Sequence, residues 1–302
     1  MTSKDTSDEA TKLANLEKTS ANWDLTSDVR STPPKLLILA SRRLSAITPV
    51  IESITPTASP DTKIIPLELD LASLSSVRKA AAEPLNLTPV VDVLINNAAV
   101  MMLQEYTTTT PEGIEMHMAI NHVGHFLFTN LVIPALLKAP QPGRVVNVTS
   151  AAYFASPVRF DNLNFKDGSE YEPFLAYAQS KTANLLFSVG LARKLGGRGL
   201  LSFGVDPGGW RLEDGSPNPA IPWKTAAQSV ASYIIAGFDP DTKDHNGETI
   251  AAGDFAQGVP PHAKDPEAAD KLWALIEKLV GQEFGYWFGS KYQAGVAGYR
   301  TL

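Results

Sequence analysis

The fold class follows from a strand pattern centred on Arg144-Val145-Val146-Asn147-Val148-Thr149-Ser150. This stretch predicts a β-strand that ends at a serine. Other strand-length runs occur on both sides of it, at residues 35–40, 64–69, 90–95 and 200–206. Helical patterns separate these runs, and strands that alternate with helices indicate parallel βαβ units. The sequence therefore predicts a Rossmann-like α/β domain with a doubly wound parallel sheet in three layers. Its ligands are expected at the carboxyl ends of the strands.

The helices between the strands are predicted from apolar periodicity and end signals. Thr48 and Pro49 offer an N-cap and a first helical position, and Pro84 is expected to break the next helix. A long helix is expected to open around Asn121 and to pass through Pro134. The remaining predicted helices are one that begins near Tyr177 and is closed by Gly196, residues 225–235 and residues 266–280.

Composition excludes several classes of function. The chain has 302 residues, 44% of them hydrophobic and 19% charged, which is ordinary for a soluble protein. A net charge of −6 gives no general attraction to nucleic acid or to an anionic membrane. There is no cysteine, so disulfides, thiolate metal sites and a cysteine nucleophile are excluded, and a cytoplasmic location is expected. The five histidines lack a metal-ligand spacing, so no metal is predicted, and His122 and His125 are interpreted as packing or capping groups in a buried helix.

The first 34 residues differ from the rest of the chain. They are polar, mixed in charge and contain no glycine. They lack the apolar core of a secretory signal. We expect a disordered tail over residues 1–34 and a single domain over residues 35–302.

Tyr177-Ala178-Gln179-Ser180-Lys181 contains two residues that can do chemistry together. Residues four apart on a helix share a face, so the Tyr177 phenol and the Lys181 ammonium can point into one cleft. A free tyrosine has a pKa of about 10, and an ammonium nearby can lower it. The pair would then be a general acid/base for an oxygen atom. Taken alone, such a pair more often marks a solvated helix face.

Polar residues follow each predicted strand. Arg42, Asp70, Asn97, Ser150 and Pro207 fall at the strand ends. Each has an ordinary explanation, such as a turn residue or a solvated charge. Together with Tyr177 and Lys181, in this order, they favour a functional site.

This series resembles the short-chain dehydrogenase/reductases, and more closely their retinol-dehydrogenase-like branch. The resemblance runs from about residue 35 to about residue 288. It rests on these motifs: Leu69-Asp70-Leu71, Asn96-Asn97-Ala98-Ala99, Asn121-His122-Val123-Gly124-His125-Phe126, Val145-Val146-Asn147-Val148-Thr149-Ser150, Tyr177-Ala178-Gln179-Ser180-Lys181 and Asp206-Pro207-Gly208.

The resemblance implies a catalytic tetrad and a nicotinamide cofactor. Tyr177 would give or take the proton, Lys181 would lower the Tyr177 pKa and hold the nicotinamide ribose, Ser150 would bind the substrate oxygen, and Asn121 would support a proton relay. Asp70 and Asn97 would lie around the adenosine and Gly208 beside the cofactor. Arg42 would meet the 2′-phosphate of NADP (NADPH), a role that its charge also allows.

The resemblance further implies a small lipophilic carbonyl or alcohol substrate. The part from about residue 210 would cover the substrate pocket. No nucleic acid and no transmembrane segment are expected, and since the family is often dimeric or tetrameric, a homo-oligomer is an open expectation.

The sequence departs from the family pattern before residue 35. The family has there a central first strand, a glycine-rich turn and a helix that receives the cofactor pyrophosphate, and residues 1–34 match none of them. Three accounts stay open: the two flanking strands pair directly, the chain is a truncated or mis-assembled family member, or it is a non-catalytic descendant that binds no cofactor. Ala99 and Leu212 are milder departures, at positions where glycine and threonine are usual.

Overall fold

The chain alternates strands and helices, as predicted. The computed structural model describes residues 33–109, 111–208, 226–286 and 300–301. The N-terminal tail up to residue 32 and Leu212 therefore lie outside the described residues. The elements are β1 (Leu36–Ser41), α1 (Leu44–Ile54), β2 (Lys63–Glu68), α2 (Leu74–Leu87), β3 (Val93–Asn96), α3 (Met116–Leu136), β4 (Gly143–Val148), α4 (Pro173–Leu195), β5 (Leu200–Asp206), α5 (Ala226–Phe238), β6 (Thr249–Ala251), β7 (Asp254–Phe255), α6 (Pro266–Val280), β8 (Gln282–Glu283) and β9 (Arg300–Thr301).

The main sheet has the strand order β3-β4-β5-β6-β7. Its first three pairings are parallel, and only β7 runs antiparallel to its neighbour. Asn96 lies opposite Asn147, and Val148 lies opposite Val205, so the carboxyl ends of β3, β4 and β5 are level. The α/β class and the parallel central sheet are confirmed.

Strands β1 and β2 form a separate parallel pair. Among the described residues β1 does not hydrogen-bond to β3, so the first of the three open accounts, direct pairing of these two strands, is wrong. The side chains of β1 and β3 are incompletely covered. Ile95 in β3 is 41% exposed, and the side chains of β1 are mostly half-buried. Pro66 lies in β2, which pairs only with β1 within the described chain; this agrees with the predicted edge strand.

Helices cover both faces of the main sheet, which gives the three layers. Val145 of β4 packs in the large core with residues of α2, α3, α4 and α6. The next residue, Val146, faces the opposite side and packs with Ile235 and Ala236 of α5. This alternation is the expected consequence of strand geometry.

Helix α3 is the most deeply buried helical segment beside the sheet. Over Met116–Leu136 it is long and apolar enough to cross a membrane, but 89% of its most apolar stretch of 18 residues is buried inside the protein. Burial of this kind is typical of a core helix. Gly124 lets α3 approach the turn after β2, because a Cβ at this position would lie 2.5 Å from the Leu71 carbonyl oxygen.

Several predicted helix boundaries were wrong. Helix α1 begins at Leu44, not at Pro49, and the Thr48 hydroxyl donates to the Leu44 carbonyl instead of capping a helix. Helix α2 continues past Pro84, whose carbonyl accepts the N–H of Thr88. A proline lacks only its own donor, so the turn that follows it can still form.

The third error concerns α3, which begins five residues before Asn121, at Met116. The carboxylate of Glu115 accepts the N–H groups of His117 and Met118 and caps the helix. Helix α4 likewise begins before Tyr177, at Pro173, with Glu172 as its N-cap. Caps provided by glutamate are less common than those of the shorter Asp, Asn, Ser and Thr side chains, which explains why these starts were placed too late.

We expect Gly124→Ala to destabilise the fold by about 1–3 kcal/mol, because the new methyl group would overlap the Leu71 backbone. The free energy of unfolding in urea measures this. Gly197→Ala is the matched control, since a Cβ there meets nothing within 4 Å. Equal stability of both variants would contradict the close approach of α3 to Leu71.

Candidate active site

Ser150, Tyr177 and Lys181 meet at the carboxyl end of β4. Ser150 follows the strand, and its hydroxyl accepts the N–H of Ala152. A side-chain hydrogen bond from Ser150 to Tyr177 favours the phenolate and acts to lower the Tyr177 pKa. The Lys181 Nζ lies 5.5 Å from the centre of the Tyr177 ring. The structure thus brings together three of the predicted catalytic residues.

Asn121, the fourth of these residues, connects this group to the end of β3. Its Oδ1 accepts the N–H of Val100 at 2.8 Å, and its Nδ2 donates to the Val100 carbonyl at 2.9 Å. The same Nδ2 lies 2.9 Å from the Ser180 hydroxyl, which donates to the carbonyl of Tyr177. Asn121 lies in a π-helical turn, Ala119–Val123, a local widening of α3. Such turns often occur at functional sites.

Lys181 is buried, with 2% of its surface exposed. Its Nζ donates to the Val148 carbonyl at 3.1 Å, and the Asn184 amide donates to the same oxygen at 3.0 Å. Burial lowers the Lys181 pKa to about 8, although Asp206 acts in the opposite direction. Burial disfavours the charged form of a lysine.

The Tyr177 pKa differs from what its spacing to Lys181 suggested. Burial raises this pKa above its ordinary value, the Ser150 hydrogen bond opposes that rise, and the charge of Asp206 adds to it. The expected net lowering of this pKa is therefore wrong, because removal of the phenol from water outweighs the Ser150 hydrogen bond. The phenol accordingly keeps its proton at neutral pH.

The predicted cofactor residues Arg42, Asp70, Asn97 and Gly208 follow strands of two different sheets, β1-β2 and β3–β7. Arg42 is exposed just after β1, and Asp70 lies after β2, where its carboxylate accepts the N–H of Ala72. Asn97 is exposed after β3. Gly208 follows β5 with φ +64, and its N–H donates to the Asp206 carboxylate. The four residues follow the carboxyl ends of parallel strands.

These residues fit the two ends of a dinucleotide. An exposed guanidinium suits a phosphate, and an exposed amide and a buried ammonium suit ribose hydroxyls. The described residues after β1 contain no glycine-rich turn, so they offer no backbone cradle for the pyrophosphate. The described residues therefore suit the two ends of a nicotinamide dinucleotide, and they do not include a cradle for its pyrophosphate.

Sequence reasoning missed two residues of the site. The Tyr233 hydroxyl on α5 donates to Asn97 Oδ1 at 2.9 Å, and its pKa is raised to about 12 by burial and then by Asp206 and Tyr177. Asp206 is a buried carboxylate at the end of β5 that acts on Tyr177, Lys181 and Tyr233 alike. Its position at a strand end was a usable signal. Tyr233 lies within a helix, and no sequence signal marked it as a site residue.

Comparisons with known proteins agree with this geometry. A family model described as short chain dehydrogenase matches residues 32–161. Retinol dehydrogenase 13 of Homo sapiens is 37% identical over 230 residues, covering 71% of this chain and 68% of that protein. Short-chain dehydrogenase/reductase prx1 of Penicillium rubens is 36% identical over 240 residues, covering 71% and 69%. A solved structure of an uncharacterised Mycobacterium paratuberculosis protein has a TM-score of 0.61 at 32% identity, covering 80% of this chain and 83% of that one.

The buried histidines of α3 predict acid sensitivity. Burial lowers the pKa of His122 to about 3 and that of His125 to about 4. Below pH 6.5 the unfolded chain takes up these protons and the folded chain does not, so stability falls as the pH drops towards 4. We expect roughly 2 kcal/mol of loss per histidine between pH 7 and pH 5.

His122→Gln keeps a donor for Asn184. It should make the loss of stability between pH 7 and pH 5 smaller by the contribution of one histidine, roughly 2 kcal/mol. Urea unfolding at pH 7 and pH 5 measures the difference. His245→Gln is the control, because the His245 side chain is 44% exposed. If the free energy of unfolding of His122→Gln falls between pH 7 and pH 5 as much as that of the original chain, His122 is not a source of the acid sensitivity.

Proposed function

We propose that this protein is an NADP-dependent oxidoreductase that interconverts a carbonyl and an alcohol. The chain belongs to the short-chain dehydrogenase/reductase family and to its retinol-dehydrogenase-like branch. The observation that carries the proposal is the meeting of Ser150, Tyr177 and Lys181 at the end of β4. A lipophilic substrate is proposed because relatives of the chain are named for retinol.

The protonation state of the site favours carbonyl reduction. Tyr177 holds its proton at neutral pH because burial raises its pKa. A protonated phenol can donate to the oxygen of a carbonyl as that oxygen gains charge. The Ser150 hydroxyl, hydrogen-bonded to Tyr177, holds the same oxygen in place. Lys181, with a pKa of about 8, carries a positive charge at neutral pH and stabilises negative charge near the phenol.

The cofactor would supply the hydride when bound. The chain's own residues would hold its two ends, with Arg42 at the 2′-phosphate, Asp70 and Asn97 near the adenosine, and Lys181 at the nicotinamide ribose. A cytoplasmic location and assembly as a homo-oligomer remain predictions.

A second candidate function is a non-catalytic role without cofactor. It is favoured by the separation of β1 from β3 and by the lack of glycine in residues 1–34. Titration with NADPH, followed by nicotinamide fluorescence, separates the two. Saturable binding supports the oxidoreductase, and a folded protein that binds no NADPH supports the non-catalytic role.

Tyr177→Phe should abolish turnover, because it removes the proton donor while keeping the ring. We expect a loss of at least about 100-fold in kcat, with an unchanged circular dichroism spectrum and NADPH affinity. Tyr106→Phe, which also removes one phenol hydroxyl, is the control and should stay active. Full activity of Tyr177→Phe would overturn the mechanism.

Arg42→Ala should weaken NADPH binding and leave NADH binding nearly unchanged. Loss of a charge-assisted contact of about 1.5–3 kcal/mol corresponds to roughly 10- to 100-fold in Kd. The neighbouring exposed Arg43, changed to alanine, controls for overall charge. If both variants lose the same affinity for both cofactors, Arg42 does not read the 2′-phosphate.

A further inference from the structure

The Val148 carbonyl at the end of β4 accepts hydrogen bonds from two side chains of α4. Lys181 Nζ lies 3.1 Å from this oxygen, and Asn184 Nδ2 lies 3.0 Å from it. Both side chains are buried. A carbonyl oxygen has two lone pairs. The ammonium and the amide therefore take one lone pair each, and they lie side by side.

The orientation of the Asn184 amide is fixed by its two neighbours. The Val148 oxygen can only accept, so the amide nitrogen faces it and the amide oxygen faces away. That oxygen, Oδ1, lies 3.3 Å from Nδ1 of His122 on α3. An amide oxygen also only accepts, so Nδ1 of His122 carries the hydrogen. One chain of hydrogen bonds thus runs from His122 through Asn184 to the oxygen that holds Lys181.

The other ring nitrogen of His122 is unsatisfied. The side chain is fully buried, and Nε2 has no hydrogen-bond partner among the described residues. The ring centroids of Phe126 and Phe187 lie 6.2 and 5.8 Å from that of His122. A buried acceptor without a partner costs stability, and an apolar side chain would avoid this cost. The described polar contact of the His122 side chain is with Asn184, which indicates that this contact has a role besides packing.

Other titratable groups lie near Lys181. Burial lowers the Lys181 pKa, and Asp206 at the end of β5 opposes this. Burial, and to a smaller extent the charge of Lys181, lower the pKa of His125 on α3. The centre of the Tyr177 ring lies 5.5 Å from Lys181 Nζ. The described hydrogen bond of Nζ is the one to Val148, so the position of the ammonium depends on that carbonyl and on the group that shares it.

We propose that Asn184, oriented by His122, is a positioning residue that holds the Lys181 ammonium at the end of β4. This rests on the proposed function, in which Lys181 binds the nicotinamide ribose and carries charge near Tyr177. Because Asn184 occupies one lone pair of the Val148 oxygen, the ammonium is confined to the other. An ammonium has three N–H donors, so two of them remain for a bound ligand.

Asn184→Asp tests this arrangement without cofactor or turnover. The substitution keeps the shape of the side chain and its acceptor for His122, but it places a carboxylate oxygen beside the ammonium in place of the donor to Val148. A nearby opposite charge favours the charged form of a lysine. We expect the midpoint of the Lys181 titration, near pH 8 in the original chain, to rise by at least about one unit. NMR of the lysine ¹³Cε signals measures it, and the Lys181 signal is identified by its absence in Lys181→Met.

Asn130→Asp is the matched control. Asn130 is also a buried asparagine, and its amide donates to the Phe126 carbonyl within α3. No contact among the described residues joins it to Lys181, so the Lys181 midpoint should stay where it is. An unchanged midpoint in Asn184→Asp, or an equal rise in both variants, overturns the proposal.

NADPH affinity, followed by nicotinamide fluorescence at pH 7, tests the effect on the site. Asn184→Leu removes both ends of the amide, and we expect Kd to rise about tenfold, equivalent to 1.4 kcal/mol. His122→Leu removes the donor that orients the amide and should raise Kd about threefold. His122→Gln keeps a donor and should bind NADPH as the original chain does. Equal affinities of His122→Leu and His122→Gln would overturn the orienting role of His122.

Asn130→Leu controls for the loss of a buried amide as such. Urea unfolding gives the stability of each leucine variant, and Asn130→Leu should keep its NADPH affinity even where it is as destabilised as Asn184→Leu. If both variants lose the same affinity, Asn184 has a general structural role and the proposal is overturned.

The two measurements separate failure of this inference from failure of the proposed function. If the original chain binds no NADPH while the Lys181 midpoint rises in Asn184→Asp alone, the arrangement around Lys181 is right and the oxidoreductase function is wrong. If NADPH binds but neither the Lys181 midpoint nor Kd responds to the changes at Asn184, the function stands and the positioning role is wrong.

Discussion

The side-chain amide of Asn121 joins the three elements on which the site depends. It pairs with both backbone groups of Val100 after β3, and it contacts Ser180 in α4 from its own place in α3. Asn121 is fully buried, so each of these bonds is protected from water. Loss of one partner would leave a buried polar group unsatisfied, which costs about 1–3 kcal/mol. The relative positions of the β3 end, α3 and Tyr177 thus depend on one side chain.

Much of the fold could be predicted from local sequence. Buried parallel strands are short apolar runs, and β5 and α6 were placed with correct bounds because periodicity and flanking residues agree there. The errors occurred where a longer side chain or a proline acts against its usual role. Glu115 caps α3, and Pro84 sits inside α2, because burial of these helices outweighs local preference.

The site was predictable to the extent that its chemistry lies in short motifs. Spacing puts Tyr177 and Lys181 on one helix face, whereas the grouping of Ser150 with them was implied by the family resemblance. The Tyr233–Asn97 and Tyr171–Leu103 contacts join residues 136 and 68 positions apart, and no local pattern reports them. The direction of the Tyr177 pKa was missed for a similar reason, since burial belongs to the whole fold.

The division between the two sheets also divides the proposed ligand site. Ser150 and Asn97 follow strands of the β3–β7 sheet, and Tyr177 and Lys181 lie on α4 beside it, whereas Arg42 and Asp70 follow β1 and β2. Within the described chain, β1 and β3 exchange no hydrogen bonds, and the smaller sheet is joined to the rest through packing of α2 against α3 and of Ile38 on the main core. A dinucleotide that contacted Arg42 and Lys181 together would therefore connect the two sheets. A ligand that made both contacts would stabilise the packing between the two sheets by mass action.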